Sequence, residues 1–280
     1  MIGVVGLGAV GSLFVYFLNR AGIVPRVVQR RRCPEYVFCA GGQCGGLRFA
    51  DVADLGDVEY TVVAVKAYDS ASVVPLLRGV AVVAQNGIGG YEAIKERYPN
   101  SVPAVVTYGV YREGCRSELR GVGEIYLPRA AERLAEALRE GGANVVVVDD
   151  IEPVRWLKLA VNAAINAVTG LLQGPNGVVV ALPQARELAS AVVGEVAKVA
   201  EALGVKIPKD PLEEVLRIAA ATSKNISSTA QDLAMCRRTE IDYLNGTVLK
   251  YGEALGIDVP YNKALYLLVK AKEVLCAGRE

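Results

Sequence analysis

Lys158, Asn162 and Asn166 recur every fourth residue in a run that is otherwise apolar. At about 100° per residue in a helix, the three fall within an arc of about 80° and share one face. Their neighbours are Leu157, Leu159, Ala160, Val161, Ala163, Ala164, Ile165 and Ala167. Polar groups in such surroundings need partners, because an unpaired buried one costs about 1–3 kcal/mol. Either they bond to neighbouring helices or they line a polar cavity. In a cavity, the lysine would donate a proton to a substrate oxygen and stabilise the negative charge developing there. The chain has no histidine. That removes Ser-His-Asp and Cys-His catalysis and most zinc chemistry, so a proton donor must be Lys, Tyr, Asp, Glu or Cys, and no metal site is expected.

Two later clusters carry further polar groups. Asn225-Ile-Ser-Ser-Thr-Ala-Gln-Asp232 clusters Asn, Ser and Thr, as the N-cap region of a helix does. Arg237-Arg-Thr-Glu-Ile-Asp-Tyr-Leu-Asn-Gly246 places Glu240 in a predicted helix.

At the other end of the chain, Ile2 to Val5 lead into Gly6-Leu7-Gly8-Ala9-Val10-Gly11, and an apolar, helix-like stretch follows to Leu18. Strand, Gly-x-Gly-x-x-Gly turn and helix together form a dinucleotide-binding fingerprint. Gly6 allows the tight turn, Gly8 admits a pyrophosphate close to the backbone, and Gly11 lets the helix pack on the strand. The free N–H groups and dipole of the helix N-terminus then favour the phosphates. The second strand, Pro25 to Gln29, is followed by Arg30, Arg31 and Arg32, and no carboxylate appears until Glu35. An acidic residue in that region would bind ribose hydroxyls, whereas an arginine accommodates a 2′-phosphate. Arg30 therefore favours NADP(H), with NAD(H) as the weaker or alternative coenzyme. Lys66 and Asn86 stand at the C-terminal ends of the next strands, Glu59–Val65 and Val80–Ala84, where ligands of open α/β sheets bind.

These groups must be positioned by two different architectures. Up to residue 150 the chain reads as an α/β, Rossmann-type domain. Further strands are expected at Pro103–Tyr111, Gly121–Leu127 and Ala143–Val148, and a helix at Arg129–Glu140. Residues 33 to 50, rich in Cys and Gly, read as irregular with room for a short hairpin. Residues 151 to 280 read as all-α. Helices are expected at Pro153–Leu172, Pro183–Leu203, Leu212–Thr222, Ile226–Met235, Cys236–Leu255 and Asn262–Ala277, and a short strand at Gly177–Val180 is the one exception. The long apolar helices 183–203 and 236–255 suggest a homodimer interface.

With 280 residues, 52% of them hydrophobic, the chain can fill two cores. Its 31 basic and 30 acidic residues make no electrostatic case for nucleic acid. No apolar run reaches a membrane span of about 18 residues, and the expected location is cytoplasmic. The six cysteines form no Cys-x-x-Cys. They are reduced thiols, or they form one or two disulfides of the kind found in intracellular proteins of hyperthermophiles. The low Met and Gln content leans toward a thermophile.

Taken together, Gly-Leu-Gly-Ala-Val-Gly, Val65-Lys66-Ala67, Gln85-Asn86-Gly87, Trp156-x-Lys158-x-x-x-Asn162-x-x-x-Asn166, Asn225-Ile-Ser-Ser, Arg238-Thr-Glu-Ile-Asp-Tyr-Leu-Asn-Gly and Gly256-x-x-Val-Pro260-x-Asn262 resemble the ketopantoate reductase family. The resemblance implies NADPH-dependent reduction of 2-dehydropantoate to (R)-pantoate, toward pantothenate and coenzyme A. It implies Lys158 as the catalytic lysine and Glu240 as the acidic site residue. Asn162, Asn166, Asn225 and Ser228 become contacts for the keto acid, and the Gly6–Gly11 loop, Arg30, Lys66 and Asn86 line the cofactor side. Two alternatives stay open. One is a related reductase of another 2-keto or 3-hydroxy acid. The other is a non-catalytic NADP(H)-binding regulator, which would have no reason to keep Lys158, Asn162, Asn166 and Glu240 together.

Overall fold

The computed structural model describes residues 1–30 and 32–277. Arg31, and the last three positions of the expected second domain, lie outside the described residues. The chain forms two compact units. The first comprises Met1–Gln85 and Gly90–Ile151, and the second comprises Asn86–Gly89 and the chain from Glu152 onward.

The strands of the first unit are β1 (Ile2–Val5), β2 (Arg26–Val28), β3 (Val37–Ala40), β4 (Gln43–Gly46), β5 (Ala50–Asp51), β6 (Tyr60–Val63), β7 (Val80–Val83), β8 (Ser101–Pro103), β9 (Val105–Val106), β10 (Gly109–Glu113), β11 (Arg116–Gly121), β12 (Ile125–Pro128) and β13 (Val145–Val148). Its helices are α1 (Ala9–Arg20), α2 (Ser70–Val73), α3 (Gly90–Arg97) and α4 (Glu132–Glu140). The main sheet has the order β5-β2-β1-β6-β7-β8 with every pairing parallel. Side chains alternate across a strand, so each central strand feeds two cores. Val4, Val62 and Val82 join α1 and α4 on one face. Val5, Val63 and Val83 pack on the other face with Val73 and Ile94. Burial on both faces explains the continuous valine runs that marked these strands. This is the Rossmann-type α/β unit.

Two smaller sheets depart from the expected strands. The stretch Pro103–Tyr111 is divided among the end of β8, β9 and the start of β10, each in a different sheet. Residues 121–127 belong to two strands, β11 ending at Gly121 and β12 starting at Ile125. Residues 33–50 hold the hairpin β3–β4 and the short β5.

Four cysteines pair as disulfides. Cys39–Cys44 joins directly opposed residues of β3 and β4, and Cys33–Cys115 closes a sequence separation of 82 residues. Cys236 and Cys276 remain thiols.

The second unit consists of helices, with no strand among its described residues: α5 (Glu152–Leu172), α6 (Val178–Ala181), α7 (Pro183–Ala202), α8 (Pro211–Ala221), α9 (Ser228–Ala234), α10 (Asn245–Leu255) and α11 (Pro260–Ala277). The valines expected as a short strand form α6 instead. A run that short has no period of its own to distinguish strand from helix. The expected helix Cys236–Leu255 is also corrected. Cys236 takes φ +49°, an irregular stretch follows, then a 3₁₀ turn at Ile241–Tyr243, and α10 begins only at Asn245. Glu240 is therefore not on a helix.

The core of this unit gathers Trp156, Leu159, Ile165 and Val168 of α5 with Val192, Val196 and Val199 of α7 and Val248 of α10. The apolar face of α7 is thus spent inside the unit. Large aliphatic side chains reach the surface on α11 instead, at Leu267, Leu268, Val274 and Leu275. The N-terminus of α11 is fixed by buried Glu195 of α7, which accepts from the Tyr261 and Asn262 backbone N–H groups, both at 2.9 Å, and from Asn262 Nδ2 at 2.7 Å. A carboxylate there satisfies orphan donors and meets the positive end of the helix dipole. Among the described residues, no helix is long and apolar enough to cross a membrane.

The 82-residue separation closed by Cys33–Cys115 restricts the unfolded chain. Replacing both residues by serine is expected to lower the unfolding free energy by about 2–4 kcal/mol, measured by guanidinium denaturation. A change under about 0.5 kcal/mol, the usual range for a neutral surface substitution, would refute this.

Candidate active site

Between Arg155 and Gly170 of α5, every residue is buried except Lys158, Asn162 and Asn166. The four-residue spacing thus forms an accessible polar stripe on a helix enclosed everywhere else. At a rise of about 1.5 Å per residue, the stripe is about 12 Å long. This favours a lined cavity over helix–helix hydrogen bonds.

Two other segments bring polar groups to the stripe. Lys158 Nζ donates to Asn86 Oδ1 at 2.9 Å. Asn86 comes from far away in sequence, but the short segment after β7 is bound into the helical unit. Ile88 N donates to Tyr243 O at 2.9 Å, and Thr247 Oγ1 donates to Ile88 O at 2.6 Å. Gly87 lies so close that a Cβ there would sit 2.1 Å from Tyr243 O. The same turn carries Glu240, which is 5% exposed and whose carbonyl accepts from Tyr243 N at 2.9 Å. Lys158 is partly accessible by surface area, but its ammonium is closely surrounded by protein. Desolvation lowers its pKa from 10.5 to about 8, against the opposing charge of Glu240. A charge stripped of water favours losing its proton, and a nearby carboxylate favours keeping it. Here desolvation is the larger effect.

At the other end, Asn166 Nδ2 donates to Ser228 Oγ at 3.4 Å, a long bond, and Thr169 Oγ1 donates to Ser227 Oγ at 2.7 Å. Ser227 caps α9, accepting from Ala230 N at 3.2 Å. The reading of this cluster as an N-cap therefore holds for Ser227, while Ser228 is left to face Asn166. Asn225 precedes them, and its carbonyl accepts from Asn176 N at 2.8 Å. Asn176 falls between the helix expected to end at Leu172 and the short strand expected from Gly177. Its Nδ2 donates to Thr222 Oγ1 at 2.9 Å, and its buried Oδ1 has no partner. A buried orphan acceptor is uncommon and calls for an explanation. Nothing in the sequence distinguished this asparagine from an ordinary turn residue.

The remaining predicted residues lie in the first unit. Gly6 takes φ +91°, and a Cβ on Gly11 would meet Gly6 O at 2.0 Å, so the turn and the helix–strand approach both depend on glycine. The helix α1 starts at Gly8 with no side-chain cap, which leaves its N-terminal N–H groups to a ligand. Gly8, Ala9 and Val10 keep accessible surface, whereas the Leu7 side chain is buried in the core. These features fit a dinucleotide pyrophosphate. Arg30 is held from across the sheet, Nη1 3.3 Å from Asp69 Oδ1 and Nη2 donating to Ser72 Oγ at 2.9 Å. Lys66 follows β6, and its carbonyl accepts from Asp69 N at 2.9 Å and Gln85 Nε2 at 3.3 Å. Asn86, expected on the cofactor side with Lys66, accepts from Lys158. No group of residues able to hold a metal ion occurs among those described.

The sequence matches the ketopantoate reductase family model over residues 2–132 and the ketopantoate reductase C-terminal model over residues 150–273. A 2-dehydropantoate 2-reductase of Pyrobaculum aerophilum is 69% identical over 276 residues, covering 99% of both chains. This chain belongs to the ketopantoate reductase family. A solved ketopantoate reductase of Ralstonia eutropha, 28% identical, aligns with a TM-score of 0.88 over 99% of this chain and all of its own. A D-mandelate dehydrogenase solved with NADH and anilino(oxo)acetate, 23% identical, aligns as well, at 0.89 over 99% of this chain and 100% of that one. The latter likeness concerns the fold, which by itself does not select a substrate.

The electrostatics of the lysine can be checked directly. An NMR titration of Lys158 is expected to find its midpoint near pH 8. Glu240→Gln should lower that midpoint, because the carboxylate is what opposes desolvation. A midpoint near 10, or one unmoved by the substitution, would contradict the arrangement described.

Proposed function

We propose that this chain reduces 2-dehydropantoate to (R)-pantoate with NADPH, a step toward pantothenate and coenzyme A. The observation that carries the reading is the accessible stripe of Lys158, Asn162 and Asn166 on an enclosed helix, with Asn86 and Glu240 at the lysine end. Family membership and the name of the Pyrobaculum relative support the choice of substrate.

When bound, the reduced nicotinamide supplies the hydride. Gly6, Gly8 and Gly11, with the backbone of Leu7, Ala9 and Val10, would hold the pyrophosphate, with Arg30 and Lys66 toward the rest of the coenzyme. Hydride addition to a ketone leaves negative charge on the carbonyl oxygen. Lys158, protonated below about pH 8, gives that oxygen its proton and stabilises the charge as it develops. Asn86 orients the ammonium, and Glu240 keeps it charged near neutral pH. Asn162, Asn166, Asn225 and Ser228 would hold the carboxylate and hydroxyl of the keto acid. Asn176, with its orphan Oδ1, joins them as an acceptor for a substrate hydroxyl.

The coenzyme preference rests on Arg30. Its guanidinium would bind a 2′-phosphate, but Asp69 already pairs with it, which keeps NADH as the alternative donor. The reading also includes a cytoplasmic location and a homodimer, for which the exposed aliphatic face of α11 offers a surface.

Turnover of NADPH with 2-dehydropantoate, repeated with NADH and with pyruvate, tests the assignment. Consumption with 2-dehydropantoate alone is expected. Equal turnover of pyruvate would point to a general 2-keto acid reductase, and no turnover despite nucleotide binding would point to a regulator. Lys158→Ala should lower kcat at least about 100-fold while coenzyme binding persists, and a near-normal kcat would remove it as the donor. Arg30→Ala should weaken NADPH more than NADH, and equal effects would argue against 2′-phosphate recognition.

A further inference from the structure

Glu240 lies between α9 and α10, just before the 3₁₀ turn Ile241–Tyr243, and one carboxylate of α11 reaches the residues on both sides of it. Glu273, whose side chain is 11% exposed, accepts from Thr239 N at 2.7 Å and from Thr239 Oγ1 at 2.6 Å, both on Oε1. The Thr239 hydroxyl, its proton given to Glu273, accepts in turn from Ile241 N at 3.2 Å. The backbone N–H groups on both sides of Glu240 therefore end on the same carboxylate, one directly and one through a hydroxyl. Thr239 is 1% exposed and Ile241 fully buried, so water cannot replace these bonds cheaply.

The carboxylate is itself fixed. Lys270, one turn earlier on α11, lies 2.7 Å from Glu273 Oε2 and 3.4 Å from Asp242 Oδ2. Asp242 Oδ2 also lies 3.2 Å from Arg238 Nη2, and its Oδ1 accepts from Tyr266 OH at 3.0 Å. The network spans the loop on both sides of Glu240 and ties it to α11.

We propose that Glu273 is a positioning residue for Glu240, holding Thr239 and Ile241 so that the Glu240 carboxylate is kept in place beside Lys158. This inference rests on the reading of Lys158 as the proton donor. Its consequence is a pH range. Among the groups that face Lys158 are the Glu240 carboxylate and the neutral Asn86 amide. Those that face Glu273 are Lys270 on its own helix, and Thr239, Arg238 and Asp242 from the loop, with Tyr266 on α11. If Glu240 withdraws, desolvation acts on Lys158 without that opposing charge, and the lysine loses its proton at lower pH.

The test is the pH profile of kcat/KM for keto acid reduction by the intact enzyme. Three variants are compared with wild type: Glu273→Ala, Glu273→Gln and Thr239→Val. Glu273→Ala and Thr239→Val should move the alkaline limb to lower pH by about half a unit or more and lower kcat about tenfold, the scale expected of a small misplacement. KM for the coenzyme should not change. Glu273→Gln keeps an acceptor oxygen for Thr239 while losing the charge, and should retain the wild-type limb. Thr239→Val preserves volume, so it reports even if Glu273→Ala fails to fold. An unmoved limb in folded Thr239→Val overturns the proposal. So does an equal shift in Glu273→Gln and Glu273→Ala, which would mean that charge acts through space. A wild-type profile with no alkaline limb would instead refute Lys158 as the donor, a separable failure.

Discussion

An ammonium group closely surrounded by protein loses much of the hydration that keeps it charged, and it stays useful as an acid only if something nearby favours the proton. In this chain the opposing charge is the Glu240 carboxylate, and the Asn86 amide accepts the ammonium's hydrogen bond, both from segments outside α5. The balance lowers the lysine's pKa from 10.5 to about 8. With no histidine anywhere in the sequence, tuning a lysine downward provides a group that can exchange protons near neutrality. Much of the helical unit can be understood as the support for that balance.

The central helix supplies the desolvation. From Arg155 to Gly170, α5 is buried everywhere but at Lys158, Asn162 and Asn166, so the polar stripe is its one accessible side. The 3₁₀ turn at Ile241–Tyr243 supplies the rest, since the Tyr243 carbonyl receives the Ile88 N–H while Glu240 begins the turn. Two motifs of the resemblance acquire different parts here. Glu240 acts on the charge of Lys158. Asn262, in the closing Val-Pro-x-Asn, is wholly buried and bonded to Asn245 and Glu195, so it fixes helix packing.

What could be read from the sequence was what depends on local periodicity. The stripe on α5 and the glycine turn after β1 are each set within a dozen residues, and both appear where spacing placed them. The central parallel strands announced themselves as valine runs because both of their faces are buried. Features that depend on distant partners were hidden. The helix expected through Glu240 gave way because Thr239 and Ile241 bond to α11 and to each other, which no local propensity reveals. Asn86 looked like a residue of the coenzyme crevice because it follows a strand, yet Ile88 and Gly87 bind its segment to the helical unit. Asn176 looked like a turn, since an unpartnered oxygen is a property of its surroundings. The bond between Cys33 and Cys115 joins residues too far apart for spacing to suggest their pairing.

The segment Asn86–Gly89 has a consequence for modularity. It belongs to the helical unit, while the chain before and after it belongs to the α/β unit. The chain therefore passes from one unit to the other three times, after Gln85, after Gly89 and after Ile151. A protein cut at the apparent boundary would leave the lysine on one fragment and its amide partner on the other. The helical half expressed alone would also lose the peptide that fills the space around Tyr243 and Thr247. In this architecture the two units are not interchangeable cassettes, because the second takes four residues from within the sequence of the first, with Ile88 in its core.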